Sequence, residues 1–242
     1  MITTKQLFLF ANLALAPLFF AAPSFSATDV PDTRNDLAAA SLDEYKKLGA
    51  VNDAYPSYEV FSLAMQGYRK MKATKGAVQK NIITVIDFSK SSNEKRLWVI
   101  NLDTRRVLFN DYVAHGRNSG KEFAQTFSNI PNSYMSSIGF YLTSKTYQGK
   151  HGLSLRLDGM DGTFNSNARQ RAIVMHGADY VSDDFIKKHG RLGRSYGCPA
   201  VSMDIYQDLI QTICEGSLLF IYYPDAEYQQ HSEILNPKTR KH

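Results

Sequence analysis

The chain has 242 residues, is 43% hydrophobic and 21% charged, and carries a net charge of +5. This is enough material for one substantial globular domain or two small ones, with apolar and aromatic residues to fill a core. The mild basic excess contains no Lys/Arg-dense patch, so a nucleic-acid partner is excluded and the charge reads as solubility charge.

The first element is a targeting segment. Lys5 forms a short positive start, residues 7–22 are apolar apart from Asn12, with Pro17 near the middle, and Ser24-Phe25-Ser26 places small residues for cleavage before Ala27. Residues 1–26 are therefore read as a signal peptide, with an uncleaved anchor as the alternative; the run is short for a span and Pro17 is central. No Cys stands near the cleavage site and no second apolar run is long enough to span a membrane. Export to the periplasm or cell envelope follows, with no stable membrane span after cleavage.

Residues 27–76 are predicted to form a helical N-terminal extension. Residues 42–48 make a short candidate. Pro56 and Ser57 open a better one, in which Val60, Phe61, Ala64, Met65, Tyr68 and Met71 share a face. Arg69, Lys70, Lys72 and Lys75 collect at its C-terminal end, where the helix dipole favours them, and Gly76 is a suitable stop.

The periodicity then changes. Residues 82–88, 97–102, 107–113, 138–143, 153–157, 172–175 and 218–223 are rich in β-branched and aromatic residues and read as strands, the first three antiparallel, with Asp103-Thr104-Arg105 as a turn. A helix pattern starts at Ser202 and buries Ile205, Leu209, Ile210 and Ile213. Residues 77–224 are thus expected to be a mainly β domain, sandwich or barrel-like, with one helix near its C-terminal end. Cys214 closes that helix and reads as a core thiol, although spacing does not exclude a bridge to Cys198, the other cysteine. Residues 115–135 form a long polar loop of the length used for functional lids. The polar tail 225–242 is expected to be disordered.

Within the domain one stretch carries chemistry. An apolar run, Ala172 to Met175, delivers His176 and Gly177, and 22 positions after the His a Gly-rich turn carries Cys198. A free thiol has a pKa of about 8.5, so a neighbouring imidazole is needed to generate thiolate near neutrality. Pro199 lacks an N–H, so any oxyanion hole here must draw on the N–H groups of Cys198, Gly197 and Tyr196. The competing reading is a buried structural thiol beside an ordinary strand-end His. Gly193-Arg194-Ser195-Tyr196-Gly197 matches the serine-hydrolase elbow but follows a polar, basic segment instead of a strand, and is read as chance. No His pair has metal-ligand spacing, so no metal and no cofactor is expected.

His176-Gly177 followed by Ser195-Tyr196-Gly197-Cys198 resembles the signature of the L,D-transpeptidase (YkuD-like) family, in a divergent branch with S-Y-G-C-P-A at the nucleophile. The stretches 113–120, 127–129 and 147–155 agree with that branch. The resemblance implies an L,D-transpeptidase-type fold, with Cys198 as nucleophile, His176 as base and the Gly177 carbonyl orienting the ring. It departs from the commoner pattern at Tyr196, where a His or Arg is usual, and at Ala200, where an Arg is usual; Arg194 is the nearest cation to replace the latter. Arg194, Ser195, His115, Arg117, Asn118, Ser119 and His151 are the expected substrate-binding residues.

The implied partners are peptidoglycan stem peptides. Cys198 would form a thioester acyl-enzyme and pass it to an amine. The alternative in the same class is an L,D-carboxypeptidase that uses water, and in another class a non-catalytic wall-binding module. The long loop, with Tyr134, Phe140, Tyr141 and Tyr147 nearby, favours transfer by excluding water. Oligomeric state is not legible.

Overall fold

The computed structural model describes residues 33–48, 55–73 and 77–236. The signal-peptide reading, Lys75, Gly76 and the basic end of the chain fall outside these residues. In chain order the elements are α1 (Thr33–Lys46), α2 (Tyr58–Ala73), β1 (Ile82–Asp87), β2 (Leu97–Asn101), β3 (Arg106–Asp111), β4 (Val113–Ala114), β5 (Gly139–Gly149) and β6 (Gly152–Gly159). They continue with α3 (Gly162–Asn165), β7 (Val174–Gly177), α4 (Asp183–His189), β8 (Ala200–Val201), α5 (Tyr206–Ile213), β9 (Leu218–Tyr222) and α6 (Ala226–His231).

Among the described residues the nine strands form one sheet, ordered β3-β2-β1-β9-β5-β6-β7-β8-β4. Its two edge strands, β3 and β4, are one extended stretch of chain interrupted only at Tyr112. A stretch that pairs with β2 at one end and β8 at the other forces the sheet to curl until its edges nearly meet. This is the expected mainly β, barrel-like architecture. The pairings are antiparallel except β1 with β9 and β7 with β8. The apolar strands 82–88 and 218–223 read so continuously because both are central in the sheet; Ile83, Val85, Ile86, Leu219, Phe220 and Ile221 are all buried.

The predicted face of α2 is buried except for half-buried Tyr68, with Phe61, Ala64 and Met65 at 1% exposure or less. It packs on β1 and β9, so α2 belongs to the same core as the sheet and is not an appendage. The contact is close because residue 67 is Gly: a Cβ there would stand 2.1 Å from the Phe140 ring, which is itself stacked on Phe220 at 4.3 Å. α1 is tied to α2 by an ion pair between Arg69 and Glu44.

The expectation of a disordered tail is corrected up to residue 236. Asp225 caps α6 by accepting the Tyr228 N–H, and Tyr228, Ile234 and Leu235 are buried. Buried Asp161 holds the segment down. Its carboxylate accepts from Phe140 N–H at 2.8 Å, Tyr228 O–H at 2.9 Å and Ser232 O–H at 2.7 Å. Three apolar residues spaced through a polar stretch are too few to show in a composition average, yet they suffice once a buried carboxylate needs donors.

Because the Phe140 ring is pinned between α2 and Phe220, Gly67→Ala is expected to destabilise the fold by about 1–3 kcal/mol. Denaturant unfolding checks this; an unchanged midpoint would show that α2 does not pack on the sheet.

Candidate active site

His176 is 4% exposed and lies in β7, between β6 and β8. Its Nδ1 is 2.9 Å from the Gly177 carbonyl oxygen. A carbonyl only accepts, so Nδ1 carries the hydrogen and Nε2 keeps a free lone pair. The His151 ring stacks on it at 4.5 Å from the tip of the β5–β6 hairpin. Burial holds the His176 pKa below the usual imidazole value, the Gly177 carbonyl pulls the other way, and His151 adds to the depression. The ring is therefore neutral at pH 7 and able to take a proton. Gly177 has no room for a side chain, since a Cβ would stand 2.6 Å from the Tyr206 ring.

The turn carrying Cys198 is held by its own backbone and by Ser195. Ser195 N–H donates to the His115 carbonyl at 3.0 Å, and Arg117 N–H donates to the Ser195 carbonyl at 2.8 Å. Ser195 Oγ accepts from Gly197 N–H at 3.0 Å and donates to the Cys198 carbonyl at 2.6 Å. Gly197 has a φ of 119°, and a Cβ on it would stand 2.7 Å from the Met135 carbonyl oxygen, so only Gly fits.

The Cys198 thiol is partly buried and free, as is Cys214. Its Sγ lies 3.5 Å from Val174 N–H and 3.7 Å from the Ala172 carbonyl. It makes no hydrogen bond to His176. Burial pushes its pKa above the ordinary thiol value, opposed by the Val174 N–H and the Arg171 charge. Both shifts favour the neutral forms, a thiol at Cys198 and an uncharged imidazole at His176.

Of the three N–H groups expected as oxyanion donors, two are unspent. Gly197 N–H is already used by Ser195 Oγ, whereas the N–H groups of Tyr196 and Cys198 have no partner among the described residues. Both stand on the turn itself and are available to a developing oxyanion.

Six of the seven expected substrate-binding residues separate into three groups. His115, Ser119 and Ser195 are buried and do not face solvent, and His115 Nε2 has no hydrogen-bond partner among the described residues. His115 is fully buried, with Nδ1 2.8 Å from Arg96 Nη2 and its ring edge-on to Phe88. Burial first, then the Arg96 charge, lowers its pKa to about 3, so it is a neutral part of the scaffold. Ser119 Oγ accepts from Ser136 N–H at 2.9 Å. By contrast, Arg117 and Asn118 are exposed; the Arg117 guanidinium lies over the Tyr196 ring at 5.8 Å, and Asn118 donates to the Ser133 carbonyl. Finally, His151 lies against His176.

Arg194, expected to stand in for the Arg usual at position 200, is anchored on the backbone. Its Nη1 donates to the carbonyls of Arg117 and Gly120 at 3.0 and 2.9 Å. The guanidinium whose charge reaches Cys198 belongs to Arg171. Arg171 donates to the carbonyls of Ser128 and Met135, each at 2.6 Å, and to the hydroxyls of Ser137 and Ser133. Its Nη2 would be 3.3 Å from a Cβ on Gly197. It therefore pins the long loop 115–135 against the turn that carries Cys198. The one sign of it in the sequence is a charged residue set directly before the apolar run that leads to His176.

Two comparisons bear on this arrangement. The family model described as the L,D-transpeptidase catalytic domain matches residues 53–222, well over half of the chain. Among solved structures, an L,D-transpeptidase from Mycobacterium smegmatis matches at 11% identity over 59% of each chain, with a TM-score of 0.37. The helical cell shape determining protein Pgp2 from Campylobacter jejuni matches at 14% identity over 72% of this chain and 61% of that one, with a TM-score of 0.39. An L,D-transpeptidase from Stackebrandtia nassauensis matches at 11% identity over 81% and 93%, with a TM-score of 0.36. The first two matches span less than two thirds of those chains. No curated protein matches the chain.

In a Cys214→Ser background, Arg171→Gln is expected to shift the midpoint of Cys198 alkylation by iodoacetamide upward by about one pH unit, because a charge favouring thiolate is lost. Arg171→Lys should restore part of that shift. An unchanged midpoint in Arg171→Gln would show that this charge does not act on the thiol.

Proposed function

Because the chain belongs to the L,D-transpeptidase catalytic-domain family, we propose that it is an exported, cysteine-dependent peptidoglycan L,D-transpeptidase. Its family acts on peptidoglycan stem peptides, and among the described residues no helix is long and apolar enough to cross a membrane. The observation that carries the reading is the tautomer of His176. With Nδ1–H on the Gly177 carbonyl, Nε2 is the atom left to accept the Cys198 proton.

The proposed reaction runs in two halves. Cys198 Sγ attacks the stem carbonyl between an L-centre and a D-centre as His176 takes its proton. The tetrahedral oxyanion is held by the N–H groups of Tyr196 and Cys198. The C–N bond to the terminal D-residue breaks, His176 returns the proton to the leaving amine, and a thioester remains. An amine of a second stem attacks the thioester, passes its proton to His176 and regenerates the thiol.

Transfer over hydrolysis depends on keeping water out while an acceptor is bound. Phe140 and Tyr141 take no part in this, since both are fully buried in the core. The loop pinned by Arg171, with Tyr134 against Tyr196 at 4.9 Å, is what supports the choice of transfer.

The mature protein incubated with tetrapeptide wall fragments should give cross-linked dimers as the main product and tripeptides as the minor one, read by mass spectrometry. Cys198→Ala and His176→Ala should each lower both products by about a thousandfold or more, and the double variant should be no worse than either. Tripeptides alone, even at high acceptor concentration, would make the protein a carboxypeptidase. Product from Cys198→Ala would refute the mechanism.

A further inference from the structure

The arginine that leads into the catalytic turn also borders an open groove of about 520 Å³, lined by Arg117, Lys121, Glu122, Phe123 and Arg194 among others. Arg191 lies close enough to add its charge to that of Arg194. Among the described residues, none of these four cations has a carboxylate within ion-pair distance. The one carboxylate in the lining, Glu122, accepts from Ser91 Oγ at 2.5 Å. Like charges gathered without a counter-charge repel one another, and an anionic ligand relieves that repulsion.

The cluster is also oriented. Arg194 Nη1 is anchored by two carbonyls, which presets its guanidinium plane, while its Nη2 and Nε have no hydrogen-bond partner among the described residues. An anchored guanidinium loses less freedom when it forks a carboxylate than a free one does. Apolar surface stands beside the charges: Phe123 is 46% exposed, and Tyr196, under the Arg117 guanidinium, is 66% exposed. The groove adjoins the turn through its lining: Arg194 directly precedes Ser195 in the chain, and Arg117 follows Gly116, which bridges to Ser195.

We propose that this groove is a carboxylate subsite, formed by Arg117, Lys121 and Arg194, that holds a carboxylate-bearing stem peptide beside the Cys198 turn. This deepens the proposed function and rests on it for the identity of the peptide. The aromatic rim accommodates the aliphatic parts of such a peptide, and the cations select it over an amidated or neutral one.

The test is binding without turnover, by calorimetry on full-length mature protein carrying Cys198→Ala. The probes are a stem tetrapeptide with free carboxylates and the same peptide with them amidated. The free peptide should bind, and should bind about tenfold more weakly after Arg117→Ala and Lys121→Ala are combined. The amidated peptide should bind weakly to both proteins, with no further loss in the double variant. Lys121→Glu alone, at an exposed position, should weaken the free peptide in the same direction and guards against a folding defect. Equal binding of the free peptide to parent and double variant, equal loss for both peptides, or no saturable binding to the parent would overturn the subsite. Charge-dependent binding in a protein whose wild type yields no product would instead remove the proposed reaction and leave the subsite standing.

Discussion

The site depends on one side chain that makes two hydrogen bonds inside a four-residue turn. Ser195 Oγ accepts the Gly197 N–H and donates to the Cys198 carbonyl. This fixes the direction of the backbone on both sides of Cys198 and leaves the N–H groups of Tyr196 and Cys198 unspent. The turn is in turn seated on buried structure. Ser195 N–H holds the His115 carbonyl, and His115 is packed against Arg96, whose guanidinium also donates to the carbonyls of Lys90 and Val113. A fully buried arginine is costly unless its donors are used, and here they tie β2, β4 and the loop before β2 to the strand that supports the turn. Glycine is needed where backbones cross: a Cβ on Gly116 would stand 2.6 Å from the Tyr134 carbonyl oxygen.

The electrostatics of the resting site favour neutrality. Burial raises the pKa of Cys198 and lowers that of His176, so proton transfer between them is uphill in the free protein. Attack then requires proton transfer to accompany bond formation, or a rearrangement of the thiol away from Val174 and Ala172 toward the imidazole. Arg171 offsets part of the cost by placing positive charge near the sulfur, while its other donors hold the loop that borders the site.

Much of the fold was legible in the sequence, because β-branched and aromatic runs mark strands whatever their neighbours. The two-residue strand β8 was not, since Ala200–Val201 is too short to show any period. The parallel pairings of β1 with β9 and β7 with β8 join segments far apart in sequence, or separated by a helix and a turn, and carry no local mark. In the candidate site, His176 and Cys198 stand out in the sequence because a thiol and an imidazole are the residue types that the proposed chemistry demands. His115 and Ser119 were misread as substrate-facing because a polar residue in a polar loop shows nothing of its burial. Arg171 was missed for the opposite reason: a charged residue at the head of an apolar run reads as a strand boundary, and its partners lie 34 to 43 residues away in the loop. Arg194 was expected to hold the substrate in place of the Arg usual at position 200; its anchoring on the Arg117 and Gly120 carbonyls has no local mark, because those partners lie more than 70 residues away.

The central claim is that Cys198 becomes covalently acylated with loss of the terminal residue of its substrate. Intact-protein mass spectrometry after brief incubation with a stem tetrapeptide, quenched in acid, measures this directly. The account predicts an adduct equal to the tetrapeptide minus its terminal D-residue, placed on Cys198 by peptide mapping, released by hydroxylamine and absent from Cys198→Ala. An adduct on another residue, or turnover with no covalent intermediate under conditions that slow deacylation, would contradict it.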